Sequence, residues 1–158
     1  MTDKEHAFLL QRVQPAMIGL IDGSLSTLAP IFAIALHTHK PIDAFVAGIA
    51  TAFGAGISMA FSEGLSDTGR ETGRGNPAVR GTITGVGTFI GGILHTLPFL
   101  IPSYHTAIVA AIVVVGFELV ALAYLRYRFF ETSFFRSFAT VTVGGVAIAA
   151  VSAVVGSV

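Results

Sequence analysis

From Met17 almost to the C-terminus the chain alternates long apolar runs with short polar connectors. The runs cover residues 17–36, 42–66, 81–101, 106–127 and 134–156. Each is about the 20 residues that an α-helix needs to cross a bilayer. None alternates apolar and polar residues in period two, as a membrane barrel must. Lipid offers backbone N–H and C=O groups no partner, so each run must satisfy them internally as a helix. The expected fold is all-α: one polytopic domain over residues 1–158 with five transmembrane helices. Residues 1–16 read as an interfacial amphipathic helix, with Phe8, Leu9 and Val13 turned inward. Asp3, Glu5, His6 and Arg12 surround too short an apolar patch for a signal peptide.

Helix breakers fall between the runs. Pro41 opens the second, Pro77 lies in the glycine-rich connector, and Pro98 and Pro102 close the third. Pro30 instead interrupts the first run, where its missing N–H leaves the Ser26 carbonyl without a helical donor. At 100° per residue Gly48, Ala52 and Gly56 share one helix face, as do Gly81, Gly85, Thr88 and Gly92. Such faces let backbones approach closely, either as ordinary tight packing or as the walls of a path.

Composition supports the membrane reading. Hydrophobic residues make up 53%, charged residues 11%, and the mean hydropathy is +0.79, whereas soluble domains are about one-quarter charged. A net charge of zero and the lack of any long basic run argue against a nucleic-acid partner. Lys4 and Arg12, then Arg70, Arg74 and Arg80, then Arg126, Arg128 and Arg136 fall on one side of a five-span arrangement, leaving only Lys40 opposite. The positive-inside bias therefore predicts a cytosolic N-terminus and an external Val158.

Ionisable residues inside spans cost about 2.5–3.5 kcal/mol each on insertion scales and so mark function. The candidates are Asp22, Glu63 and Glu118. Asp22 precedes Gly23 and shares a face with Ser26, Ala29 and Ala33. Glu63 lies on a stripe Met59, Glu63, Asp67, Glu71 at successive i+4 spacing, with Ser58, Ser62 and Ser66 beside it. Carboxylates, a thioether and hydroxyls on small-residue faces suit a partly dehydrated divalent transition metal. Against this, Asp22 and Glu63 lie near the cytosolic ends of their spans, where an interfacial or capping acid is the plain alternative. Glu118 is either a proton relay or a structural carboxyl paired with a hydroxyl or with His95. His37 and His39, just before Lys40, could receive an exiting metal, but juxtamembrane histidines are more often simply solvated.

Three strings together resemble the vacuolar iron transporter family: Gly19-Leu-Ile-Asp22-Gly23-Ser-Leu-Ser-Thr27, Gly56-Ile-Ser58-Met59-Ala-Phe-Ser-Glu63, and Leu97-Pro98-Phe-Leu. Ser66-Asp67, Gly73-Arg74-Gly75-Asn76-Pro77 and Glu131-Thr-Ser-Phe-Phe-Arg136 look closest to the membrane half of its membrane-bound ferritin type. The resemblance implies a five-helix protomer, a two-fold homodimer with its path between paired first and second helices, and proton-coupled export of Fe(II) or Mn(II) from the cytosol. It also implies a bacterial inner membrane ahead of an organelle membrane. Asp22 and Met59 match positions associated with the ion path, and Glu63 matches the acid of a Ser-Met-x-x-x-Glu pattern. The connector between the second and third spans is short, however. Where better-known members carry a metal-binding helical domain, it offers mainly Asp67 and Glu71. A ferroxidase would need a separate ferritin-like domain or protein, since this chain has no Glu-x-x-His pair and no room for such a bundle.

The sequence therefore reads as a transporter rather than an enzyme, without a resident cofactor, carrying Fe(II) or Mn(II) as substrate. Asp22, Met59 and Glu63 line the path, and Ser26, Ser58, Ser62, Asp67 and Glu71 are accessory to it. Glu118 is a candidate proton relay. The partners expected are a second copy, the bilayer, divalent ions and protons, and a ferritin-like protein. Two other classes remain: a non-transporting membrane anchor for an iron-storage partner, and a proton-coupled exporter of organic cations. The latter would favour aromatic walls around its acid, and Phe53 and Phe61 lie off the acidic face.

Overall fold

The computed structural model describes residues 2–130 and 132–157. Glu131 of the Glu131–Arg136 string, and Val158, expected outside, lie beyond the described residues. The described residues are helical almost throughout and contain no strand. We number five helices: α1, Asp3–Thr38; α2, Pro41–Gly64; α3, Pro77–Leu94; α4, Tyr104–Phe130; and α5, Phe134–Gly156. A 3₁₀ turn, Leu97–Leu100, follows α3.

The N-terminal segment is continuous with the first span. It runs without a gap through a π-helical stretch, Leu9–Val13, into the first span. Val13 is buried and Leu9 packs beside it, while Phe8 is exposed on the surface of the chain. A Thr2 capping box closes the helix start.

Thr27 separates the two halves of α1, Gln14–Ser26 and Leu28–Thr38. The break lies where Pro30 removes the donor for Ser26. Above and below it α1 has different partners: Gln14–Ser26 packs chiefly on α3, and Leu28–Thr38 on α5 and α2. The apolar core divides correspondingly. Ile31, Ala35, Ala44, Phe99, Ala107 and Ala111 form one cluster, and Val13, Met17, Leu122 and Val141 the other. His39, at φ 55°, ends α1 in a left-handed turn, and Pro41 at once starts α2.

Helix α3 is the centre of the fold, held between the lower half of α1 and α2. Its two packing faces are made of glycine and threonine. A Cβ on Gly23 would overlap the Thr88 carbonyl, and one on Gly85 would lie 2.6 Å from the Gly56 carbonyl oxygen. The small-residue faces read from the sequence, Gly48/Ala52/Gly56 and Gly81/Gly85/Thr88/Gly92, are all buried. They lie against each other, for Gly92 meets Ala52 and Gly48 meets Thr96.

That same composition explains a difference in the spans. Among the described residues four helices, α1, α2, α4 and α5, are long and apolar enough to cross a membrane. Helix α3, with 18 residues, is not one of them. It spends its faces on neighbouring backbone rather than lipid, so it carries Gly and Thr in place of Leu and Ile. It also ends at Leu94, not Ile101, its last expected turn being replaced by His95, Thr96 and the 3₁₀ turn. The chain is a multi-pass membrane protein.

Candidate functional site

The three membrane acids sit in three different environments. Asp22 lies on the Gln14–Ser26 half of α1, half-buried, and its carboxylate makes no hydrogen bond or ion pair with any described residue. Ser26, one turn on, is exposed. On α2, which contacts the same half of α1, Met59 is half-buried and Ser58 and Ser62 are exposed. The face expected to continue from Asp22 through Ala33 does not do so. Ala33 turns to α5, where its carbonyl lies against Gly156, because the Thr27 break intervenes.

Glu63 is buried at the end of α2, with both of its nearest charges supplied by arginines. Arg80 Nε donates to Glu63 Oε1 at 2.9 Å, and Arg74 Nη2 donates to the same oxygen at 2.6 Å. The two guanidinium groups also bridge to Asp67: Arg80 Nη1 to Oδ1 at 3.0 Å and Arg74 Nη1 to Oδ2 at 3.1 Å. Arg80 Nη2 reaches the Ser66 hydroxyl at 3.2 Å. Two carboxylates and two guanidinium groups thus form a closed, formally neutral cluster.

The i+4 stripe from Met59 to Glu71 is therefore corrected. Helix α2 ends at Gly64, so Asp67 and Glu71 lie in the connector and not on a helical face. Asp67 is kept near Glu63 by a turn instead. Its Oδ1 accepts from the Gly69 N–H at 2.6 Å, and Gly69, at φ 74°, occupies a conformation open to glycine at little cost. A hydrogen bond from Arg80 is the main reason the Asp67 carboxyl is held below its ordinary pKa. Partial desolvation opposes this, while the Gly69 N–H and the charges of Arg80 and Arg74 reinforce it. Glu71 is exposed and makes no ion pair among the described residues.

Arg80 is the functional residue that sequence reasoning missed. It was counted as one more cytosolic positive charge, yet it is fully buried in the first turn of α3. Its position just beyond the Asn76 cap and Pro77 was the available signal. The Asn76 side chain accepts from the N–H groups of Ala78 and Val79, which fixes where α3 begins. That start aims Arg80 at the end of α2.

Glu118, in the middle of α4, is buried and paired with His95. His95 Nδ1 lies 3.1 Å from Glu118 Oε2, and Nε2 lies 2.8 Å from the Thr27 hydroxyl. Of His37 and His39, both near the turn into α2, the His39 ring lies against Tyr104 at a centroid distance of 4.8 Å, the two rings tilted by 50°. Among the described residues no three His, Asp or Glu side chains come together to hold a metal.

Four long apolar helices among the described residues make this a polytopic helical membrane bundle. Residues 64–157, well over half of the chain, match the VIT family. The chain belongs to that family of membrane transporters for iron and manganese. No curated protein sequence and no solved structure matches it. Asp22, Met59 and Glu63 precede the matched segment, so their role rests on geometry.

Proposed function

We propose that this protein exports Fe(II) or Mn(II) from the cytosol in exchange for protons, through a path centred on Asp22. The observation that carries this reading is the contrast among the acids. Glu63 and Glu118 are each buried against a specific partner, whereas Asp22 is committed to no described residue. An intramembrane acid without a partner is costly and is retained for a ligand. Met59 adds a soft thioether, and Ser26, Ser58 and Ser62, all exposed, offer hydroxyl oxygens.

A single chain supplies one carboxylate there. Two-fold pairing of α1 and α2 with a second copy brings two Asp22 and two Met59 around one axis. In this arrangement all five helices cross the bilayer, with α3 shielded by its neighbours, and the N-terminus and the Gly69–Gly75 connector face the cytosol. Glu63 and Asp67 join the path when an arriving divalent ion displaces Arg74, the more exposed of their two cationic partners.

The deciding experiment is vesicles containing only this chain, loaded with a pH indicator and a metal indicator. Transport predicts metal movement coupled to opposite proton movement. Absence of both would leave the anchor reading, and proton flux driven by an organic dye cation but not by Mn(II) would favour the organic-cation exporter.

A further inference from the structure

Three polar side chains meet inside the bundle at the level where α1 breaks. Thr27 and His95 are fully buried and Glu118 is 5% exposed. They come from α1, the end of α3 and the centre of α4. Thr27 Oγ1 lies 2.7 Å from the Gly23 carbonyl oxygen and 2.8 Å from His95 Nε2, while His95 Nδ1 lies 3.1 Å from Glu118 Oε2. Glu118 is the sole ionisable partner of His95 among the described residues. The acids of α1 and α2 at Asp22, Asp43 and Glu63, and the arginines at the ends of α3, α4 and α5, make no hydrogen bond or ion pair with it.

Proton counting constrains this chain. A threonine hydroxyl has one proton to give. While Thr27 donates to the Gly23 carbonyl it can only accept from His95, so Nε2 carries a proton. The contact between Nδ1 and Glu118 then needs one more proton, on nitrogen or on oxygen, and in both cases the pair is neutral overall. Neutrality is the favoured state for a pair buried in a membrane protein. Loss of the Nε2 proton to water, with the remaining proton on Nδ1, leaves Nδ1–H donating to a carboxylate and Nε2 bare. The Thr27 hydroxyl must then turn from Gly23 to Nε2, freeing the Gly23 carbonyl, one residue from Asp22. No other bond changes.

We infer that His95 and Glu118 form a proton-binding site with one exchangeable proton, coupled through Thr27 to Asp22. This rests on the transport reading, and it assigns that reading its second proton carrier. The sign is fixed by charge: a divalent cation at Asp22 favours the deprotonated, negative pair, and by linkage a proton on the pair weakens the cation site. One helix break thus connects ion occupancy to proton occupancy without the two sharing a ligand.

Mn(II) binding and proton release are to be measured together on the full chain in lipid nanodiscs, for the parent, Glu118→Gln, Thr27→Val and Thr27→Ser. In the parent, raising the pH should tighten Mn(II) binding by at least about fivefold. Glu118→Gln should still bind Mn(II) but release one proton fewer per ion, Thr27→Val should behave likewise, and Thr27→Ser should restore the parent value. Parent-like proton release from Glu118→Gln overturns the inference. Nitrogen-15 spectra of His95 decide it independently of transport. A change from Nε2–H to bare Nε2 as the pair deprotonates supports the site even if Mn(II) does not bind, in which case only the transport reading fails. A bare Nε2 at every pH overturns the site.

Discussion

Arg80, in the first turn of α3, places its Nε 2.9 Å from Oε1 of Glu63 at the end of α2, and both side chains are buried. The pair pins together two helices that also touch through glycine faces and the Phe53–Phe89 rings. Breaking a buried pair from one side leaves the other charge stranded, at about 3–5 kcal/mol. Arg80→Gln should therefore destabilise the protein by about 3 kcal/mol, read as a shift of the detergent unfolding curve. Arg74→Gln, whose side chain is 22% exposed, should cost no more than about 1 kcal/mol. Equal effects would show that burial does not set the difference.

On the path proposed above, Arg74 is also the charge an incoming ion must displace. Its removal should lower the Mn(II) concentration that gives half-maximal uptake, while Arg80→Gln should impair folding first. The connector carries a pH signature as well. Because Asp67 is held below its ordinary pKa, chiefly by Arg80, its ion pairs contribute fully above the unfolded value of about 3.9 and are lost as pH falls through the lower folded value. Hydrogen exchange in the Asp67–Gly75 segment should stay slow at neutral pH and accelerate only below about pH 4. Acceleration already between pH 7 and 5 would contradict this.

The glycine contacts predict a sharp positional contrast. Gly23→Ala sets a methyl group into the Thr88 carbonyl of α3, and overpacking of that kind costs about 1–3 kcal/mol. Gly54 and Gly116 face open space, so Gly54→Ala and Gly116→Ala should be neutral or stabilising by up to about 1 kcal/mol. Unfolding of the three variants in one detergent series checks this.

What the sequence made legible was set by how local each signal is. The last helix, Phe134–Gly156, has the bounds its apolar run predicts, because hydropathy and breakers are local properties. Gly85 and Thr88 announced a packing face, but nothing local said that α3 would have two such faces, and so Ile101 was wrongly assigned to it. The i+4 arithmetic that linked Glu63 to Asp67 presumed a helix which stops at Gly64, although the turn at Gly69 still brings the two acids to the same arginines. Arg80 looked like a solvent charge because its partner lies 17 residues away in sequence. The Glu118–His95 pairing was within reach as one alternative, since a central acid demands a partner, but the link through Thr27 required the break in α1.

Topology and assembly follow from the same exposed positions. Single cysteines at Thr72 and Ser103, both exposed, should label from opposite faces of the membrane if all five helices cross it, and labelling from one face would contradict that. A cysteine at Ser26, exposed on the side of Asp22, should cross-link to its own copy. A strictly monomeric particle that still transports would remove the two-fold arrangement.

Asp22→Asn is the most direct test of the ion path. The amide keeps the size and hydrogen-bonding capacity of the acid but removes its charge and its proton, and it is cheaper to hold in a membrane. The variant should express and assemble at least as well as the parent. Uptake of Mn(II) and Fe(II) against a proton gradient, compared at equal reconstituted amounts, should fall to background in Asp22→Asn. Parent-like flux would place the metal path elsewhere in the molecule.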